Sequence, residues 1–358
     1  MAMNRLAAIL VFAAASIGSA SANDRATEIV NASVEGFIRP AYAMLAERSG
    51  ALSDAVSTLC VTPSPANLAA ARRSFQGATD AWSYVEVIRF GPVTEDNRLE
   101  RLLFWPDRKG IGLKQVQAAL ASQDADAADA ARLPGKSVAM QGFGALEFVL
   151  FGTEAETLGA AGGAYRCKYG AAIATNIATI SAQVAAAWQK PDGYAAQWAS
   201  PGPDNRLYQT GSEAVTELLS VFVEGLEMLR DVRINGFLGD EAKSDKPKQA
   251  IYWRSDGTTR SFAANLAAMK ALFDSSGLER DLGPDARWIA ESIRFELGNG
   301  IAAANAANGP IAEALADPDK RGKLVYLRIV TSSLSELFGQ RLAEQFGLTS
   351  GFSSLDGD

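Results

Sequence analysis

The chain has 358 residues, with 34 Lys plus Arg against 41 Asp plus Glu, two cysteines and no histidine. Without histidine, this chain cannot supply Ser-His-Asp hydrolysis, Cys-His proteolysis, an HExxH zinc site or His-ligated haem. The formal net charge of −7 argues against a dedicated nucleic-acid binder, while 48% hydrophobic and 21% charged residues fit a globular chain with a sizeable core.

Residues 1–22 read as a secretory signal peptide. Arg5 is the positive start, Leu6 to Ala15 the apolar stretch, and Ala20-Ser21-Ala22 the small-residue cleavage site. The apolar stretch is shorter than the ~20 residues a membrane span needs, so cleavage after Ala22 is expected. No cysteine near that point supports a lipid anchor, and no later run reads as a span. In a Gram-negative cell the destination would be the periplasm. In that oxidising compartment Cys60 and Cys167 form a natural disulfide pair, two buried free thiols being the alternative. The bridge would close a loop of about 100 residues, worth up to ~4–5 kcal/mol in the chain-entropy model.

The rest of the chain predicts helices throughout, from apolar residues spaced by three and four. Ile29, Val30, Val34, Phe37, Ile38, Tyr42 and Leu45 make one stripe between Asp24 and Glu47, and Pro40 predicts a kink or break in it. A second helix is expected from about Asn67 to Phe90, stopped by Gly91-Pro92. Shorter segments follow at about 112–121 and 124–133, then Ser137 to Phe151 and Ala164 to Lys190. Pro201-Gly202-Pro203-Asp204 is the best candidate boundary. Beyond it, helices are expected at Gly211 to about Arg233, Ser261 to Phe273, Pro284 to Leu297, Ala302 to Leu315 and Lys323 to Phe346, with a charged connector from Gly239 to Gln249. The expected fold is all-α, with bundle-like halves at 23–203 and 204–358. The halves carry an echo of each other: Val34-Glu35-Gly36-Phe37 against Val223-Glu224-Gly225-Leu226, an offset of 189 that also sets Glu147 on Glu336. An internal duplication is one reading of this echo, and a chance match between helical sequences is the other.

The most informative segment is Gln141 to Gly152. On a helix Phe143, Leu146 and Leu150 share a face, and Gly144 and Glu147 another. Glu147 lies in an otherwise apolar run, so it is expected to be buried and to need a partner; Arg89, Arg98, Arg101 and Arg254 are candidates for it or for Glu86. Glu86 could itself face Glu147, a carboxylate pair that suits Fe(III) or another hard cation. Asp124, Asp126 and Asp129 lack the Gly and Glu of an EF-hand loop and read better as a solvated helix start. Asp356 and Asp358 could add oxygen ligands, against the plainer reading of a frayed tail.

Gly142-Phe143-Gly144-Ala145-Leu146-Glu147 resembles the GxHxxE signature of the imelysin-like family. Other segments agree in order: Trp82 and Glu86 with Arg89-Phe90-Gly91-Pro92, the Trp-Pro loop Phe104-Trp105-Pro106-Asp107, Lys246-Pro247 with Tyr252 to Ser255, and the tail Gly351 to Asp358. The resemblance implies an envelope protein of two related helical bundles with a site near the GxHxxE helix; members are linked to iron uptake and some are classed as metallopeptidases. Here the motif His is Gly144, which supplies neither ligand nor base. The expected function is therefore non-catalytic and periplasmic, associated with iron uptake, with a metal species, small ligand or partner bound near the Gly142–Glu147 helix. An imelysin-type metallopeptidase and an interaction protein with a vestigial site are the alternatives. The expected site comprises Gly142, Gly144, Glu147, Glu86, Trp105, Asp107, Arg254 and Ser255. Glu147 and Glu86 are its candidate ligands for iron or another di- or trivalent cation. Expected partners are envelope iron-uptake or redox proteins.

Overall fold

A computed structural model describes residues 23–348, and both the leader and the Gly351–Asp358 tail lie outside them. The described residues contain helices and turns and no strand, so the all-α expectation holds. Helix α1 runs through residues 23–61. A π-turn at Val34–Ile38 leads into Arg39–Val61, whose second residue is Pro40. Pro40 does not end the helix: the wider turn before it absorbs the missing amide and the ring. The stripe from Ile29 to Leu45 is buried as expected.

Helix α2, Pro65–Val85, begins where the Ser64 side chain accepts the Asn67 amide at 3.1 Å, with Pro65 in the first turn. It ends five residues short of Phe90. Val87 and Ile88 are buried from a turn, so their apolar spacing extended the helical reading past the true end. Short helices α3 (Arg98–Leu102) and α4 (Ile111–Ser122) follow. The segment 124–133 is not a helix. The Asp124 carboxylate accepts the Asp126 and Ala127 amides and Asp129 accepts that of Ala131, local bonds that compete with a helical ladder. Helix α5 is shorter than expected, Phe143–Phe151, because the chain breaks at Gln141-Gly142 after a 3-10 turn at Val138–Met140. Helices α6 (Ala164–Gln189) and α7 (Tyr194–Trp198) close the first half.

In the second half α8 spans Gly211–Glu227 and continues through a π-turn, Met228–Ile234, to Asn235–Phe237. Helix α9 is Thr258–Ser276 and α10 is Arg287–Ala306. The expected Ala302–Leu315 helix divides between the end of α10 and α11, Ile311–Ala316, because Gly309 takes φ +121° before Pro310. Helix α12, Pro318–Glu336, runs on through a π-turn to Gln345.

α1 packs between α2 and α6, α9 lies on both α2 and α10, and α12 joins α10 to α8. One apolar cluster thus runs through both halves. Among the described residues, the Ala161–Gln189 stretch is long and apolar enough to cross a membrane by length and composition, against the expectation of no such run. Its buried residues, from Cys167 to Trp188, pack it into this core instead. Cys60 on α1 and Cys167 on α6 form a disulfide with Cα atoms 5.4 Å apart, as the two-cysteine count suggested.

Candidate functional site

Helix α5 is fixed at both ends. At its start a Cβ on Gly142 would lie 2.2 Å from the Leu102 carbonyl oxygen and 2.5 Å from that of Arg101, so only glycine permits this backbone approach. At its end Arg166 donates to the Phe148 and Val149 carbonyls at 2.9 Å each, and Arg72 to that of Leu150 at 2.8 Å. These are the terminal acceptors a helix leaves open, and cations there suit its dipole. Arg166 neighbours Cys167, so the disulfide anchors the same turn of α6 that holds α5.

Glu147, 4% exposed, projects from this helix into the interface with the loop preceding α9. Its Oε1 accepts the Ser255 hydroxyl at 2.7 Å and the Ser255 amide at 3.1 Å. The loop presents both donors because Tyr252 and Asp256 adopt φ of 54° and 56°, left-handed conformations held by the Gly257 amide on the Tyr252 carbonyl and Thr258 Oγ1 on that of Ile251. Burial raises the Glu147 pKa, and the Ser255 hydrogen bond and the Arg254 charge oppose that rise. The Arg254 guanidinium lies 4.3 Å from the Trp253 ring centroid and 5.5 Å from that of Phe148.

A cavity of about 610 Å³ opens beside this contact. Of the expected site residues, Gly142, Gly144, Glu147, Trp105, Asp107 and Arg254 line it, and Ser255 stands behind Glu147. Gly144 is exposed, and a Cβ there would have only the Phe104 carbonyl oxygen nearby, at 3.9 Å. The two motif glycines therefore differ: Gly142 is demanded by its neighbours, whereas Gly144 leaves room for a side chain that is absent. Asp107 accepts the Ile111 and Leu113 amides at 2.7 and 3.1 Å, capping α4.

Glu86 does not stand opposite Glu147. Its two oxygens each accept from Arg233 at 2.6 Å, with Asn265 Nδ2 a further donor at 3.0 Å, all inside the molecule. A buried carboxylate needs a fixed counter-charge, and Arg233 supplies it. Arg233 sits 5.7 Å from the Trp105 ring and borders another cavity, of about 390 Å³, that the Trp-Pro loop also lines. Of the arginines expected beside the two carboxylates, only Arg254 is placed there. Arg101 binds Gln141 and Asn176, Arg98 binds Glu95, and Arg89 approaches the Met228 sulfur.

Arg233 had a legible signal: Leu226, Leu229, Arg233 and Phe237 share the buried face of α8. Arg108 and Lys248, which also line the first cavity, had none, since exposed loop cations look alike in any sequence. Tyr252 is buried near both carboxylates, and its hydroxyl has no hydrogen-bond partner among the described residues. Burial, then the Glu86 charge, push its pKa well up.

A resident metal ion does not fit these donors. Gly144 offers no ligand, Glu147 Oε1 and Asp107 are already acceptors, and Asp231 is engaged by Arg230 at 2.6 and 2.9 Å. Among the described residues no group of three or more Asp, Glu or Cys side chains is placed to hold one.

Fold and site together define an all-helical protein with an interface cavity beside a buried glutamate. The chain matches the Imelysin (Peptidase_M75) family model over residues 38–337 and belongs to that family. It is 24% identical over 320 residues to iron-regulated protein A of Synechococcus elongatus, covering 85% of this chain and 83% of that one. Two solved structures share the fold. One is an imelysin-like protein from Psychrobacter arcticum: TM-score 0.71, 19% identity, 92% of this chain and 98% of that one. The other is assigned as an iron-regulated protein A precursor from Parabacteroides distasonis: TM-score 0.74, 16% identity, 90% and 95% covered.

Proposed function

We propose that this chain is a non-catalytic, ligand-binding member of the imelysin family that serves iron acquisition in the cell envelope. Its ligand would sit in the cavity beside Glu147. The observation that carries the non-catalytic part is Gly144. The motif position opens onto the cavity with space for a side chain yet provides neither ligand nor base, and no histidine elsewhere in the chain can replace it. The iron association is supported by relatives that bear the name iron-regulated protein A, and the periplasmic location by the leader read at residues 1–22.

A Gly144→Trp variant separates cavity function from folding, because the new side chain has open space to enter. A deletion strain of the source organism should grow slowly on limiting iron, be restored by the wild-type gene, and not be restored by a folded, normally exported Gly144→Trp protein. Full growth of the deletion strain on limiting iron sinks the iron role. Metal-dependent cleavage of a protein substrate, lost in Glu147→Ala, sinks the non-catalytic one.

A further inference from the structure

The cavity's charged lining is balanced in number but not in availability. Its three acids are engaged: Asp107 by two amides of α4, Asp231 by Arg230, and Glu147, through Oε1, by the Ser255 hydroxyl and amide. Its three cations are not. Arg108 and Lys248 are exposed and have no ion-pair or hydrogen-bond partner among the described residues; Lys248 Nζ stands 6.0 Å from the Trp253 ring centroid. Arg254, whose charge acts on Glu147, rests its guanidinium on Trp253 and Phe148, and its N–H groups make no side-chain hydrogen bond among the described residues. A ligand entering here meets cationic donors not yet used in hydrogen bonds, while Asp107 and Asp231 already accept through both oxygens and Glu147 through Oε1.

We infer that the cavity is an organic-anion site, taking a polycarboxylate, free or as its ferric chelate, on Arg108, Lys248 and Arg254, and not a bare metal cation. This rests on the reading that the cavity holds a ligand. Carboxylates match the planar donor edge of arginine. Phe104, Trp105, Phe148 and Trp253 supply the wall for an organic body. A volume of about 610 Å³ suits an organic ligand and far exceeds what a compact inorganic anion would fill. A polycarboxylate also supplies the oxygen ligands for Fe(III) that this chain lacks, so iron would enter already chelated.

The test is titration of the purified mature protein with citrate, ferric citrate, inorganic phosphate and ferrous sulfate, read by calorimetry and by the fluorescence of the cavity tryptophans. Saturable binding of citrate or ferric citrate is expected. It should weaken at least tenfold in Arg254→Met and in an Arg108→Ala/Lys248→Ala double variant, both checked for wild-type circular dichroism. Which of the two citrate forms binds more tightly identifies the source of the carboxylates. Phosphate and ferrous ion should not displace it. No binding of either citrate form, or binding untouched by both variants, overturns the inference. So does stoichiometric, Glu147-dependent binding of ferrous ion alone, but that result would leave the broader ligand-binding proposal standing. Failure of that proposal would instead show as a deletion strain indifferent to iron limitation.

Discussion

Glu147 is held in a place that disfavours its charge, and this has a measurable sign. Burial raises its pKa in the folded protein above the ordinary value of about 4.3. Between the two values the folded state binds more protons than the unfolded one, so stability falls as pH rises through that window and is level above it. Glutamine keeps an oxygen in the same place to accept both Ser255 donors and removes the titration. In urea denaturation, Glu147→Gln should therefore match the wild type near pH 4 and exceed it at pH 8. A wild-type protein more stable than the variant at pH 8 would show that Ser255 and Arg254 outweigh desolvation. This residue was legible because a lone carboxylate in an apolar run signals burial. Its partner was less so. Ser255 acts through a backbone amide presented by two left-handed residues, and loop geometry of that kind leaves no periodic trace in a sequence.

The repeated Val-Glu-Gly segments gain meaning at the level of helices. Gly36 in α1 and Gly225 in α8 both face α9, but against different atoms. A Cβ on Gly36 would lie 2.7 Å from Ser275 Cβ, whereas one on Gly225 would lie 2.6 Å from Met269 Cε. The first contact is anchored to the backbone and the second is the free end of a flexible side chain. Gly36→Ala should cost about 1–3 kcal/mol by overpacking. Gly225→Ala should fall within about 1 kcal/mol of neutral, because Met269 can swing aside and alanine regains ~0.5–1 kcal/mol of helix propensity. Thermal or urea midpoints of the two variants decide this, and equal losses would refute it. Glu336, the echo's counterpart of Glu147, is exposed and pairs with Arg341, so the resemblance between halves does not extend to the site. Most helices were legible, since apolar spacing marks a buried face. Their ends were not, because Val87 and Ile88 are buried from a turn and the acids at 124–133 spend their side chains on local amides.

For the whole molecule the question is whether the halves stand alone. The expected boundary at Pro201–Asp204 marks a loop in the chain, yet α9 of the second half packs on α2 of the first, and the Glu86–Arg233–Asn265 network crosses between them. The disulfide, by contrast, joins α1 to α6 within the first half across a separation of 107 residues. A Cys60→Ala/Cys167→Ala variant should lose about 2–5 kcal/mol. If the halves were independent, only the first would melt earlier, and calorimetry would show two separated transitions. With one continuous core, loosening α1 from α6 removes the support on which α2, and through it α9, depends. The variant should therefore melt in one transition shifted to lower temperature. The bridge also anchors the turn that carries Arg166, so the same loss weakens the hold on the end of α5. The wild-type protein should consequently protect the α5 amides from hydrogen exchange more strongly than the variant does. Two resolved transitions would instead make the shared core a contact between separately stable bundles.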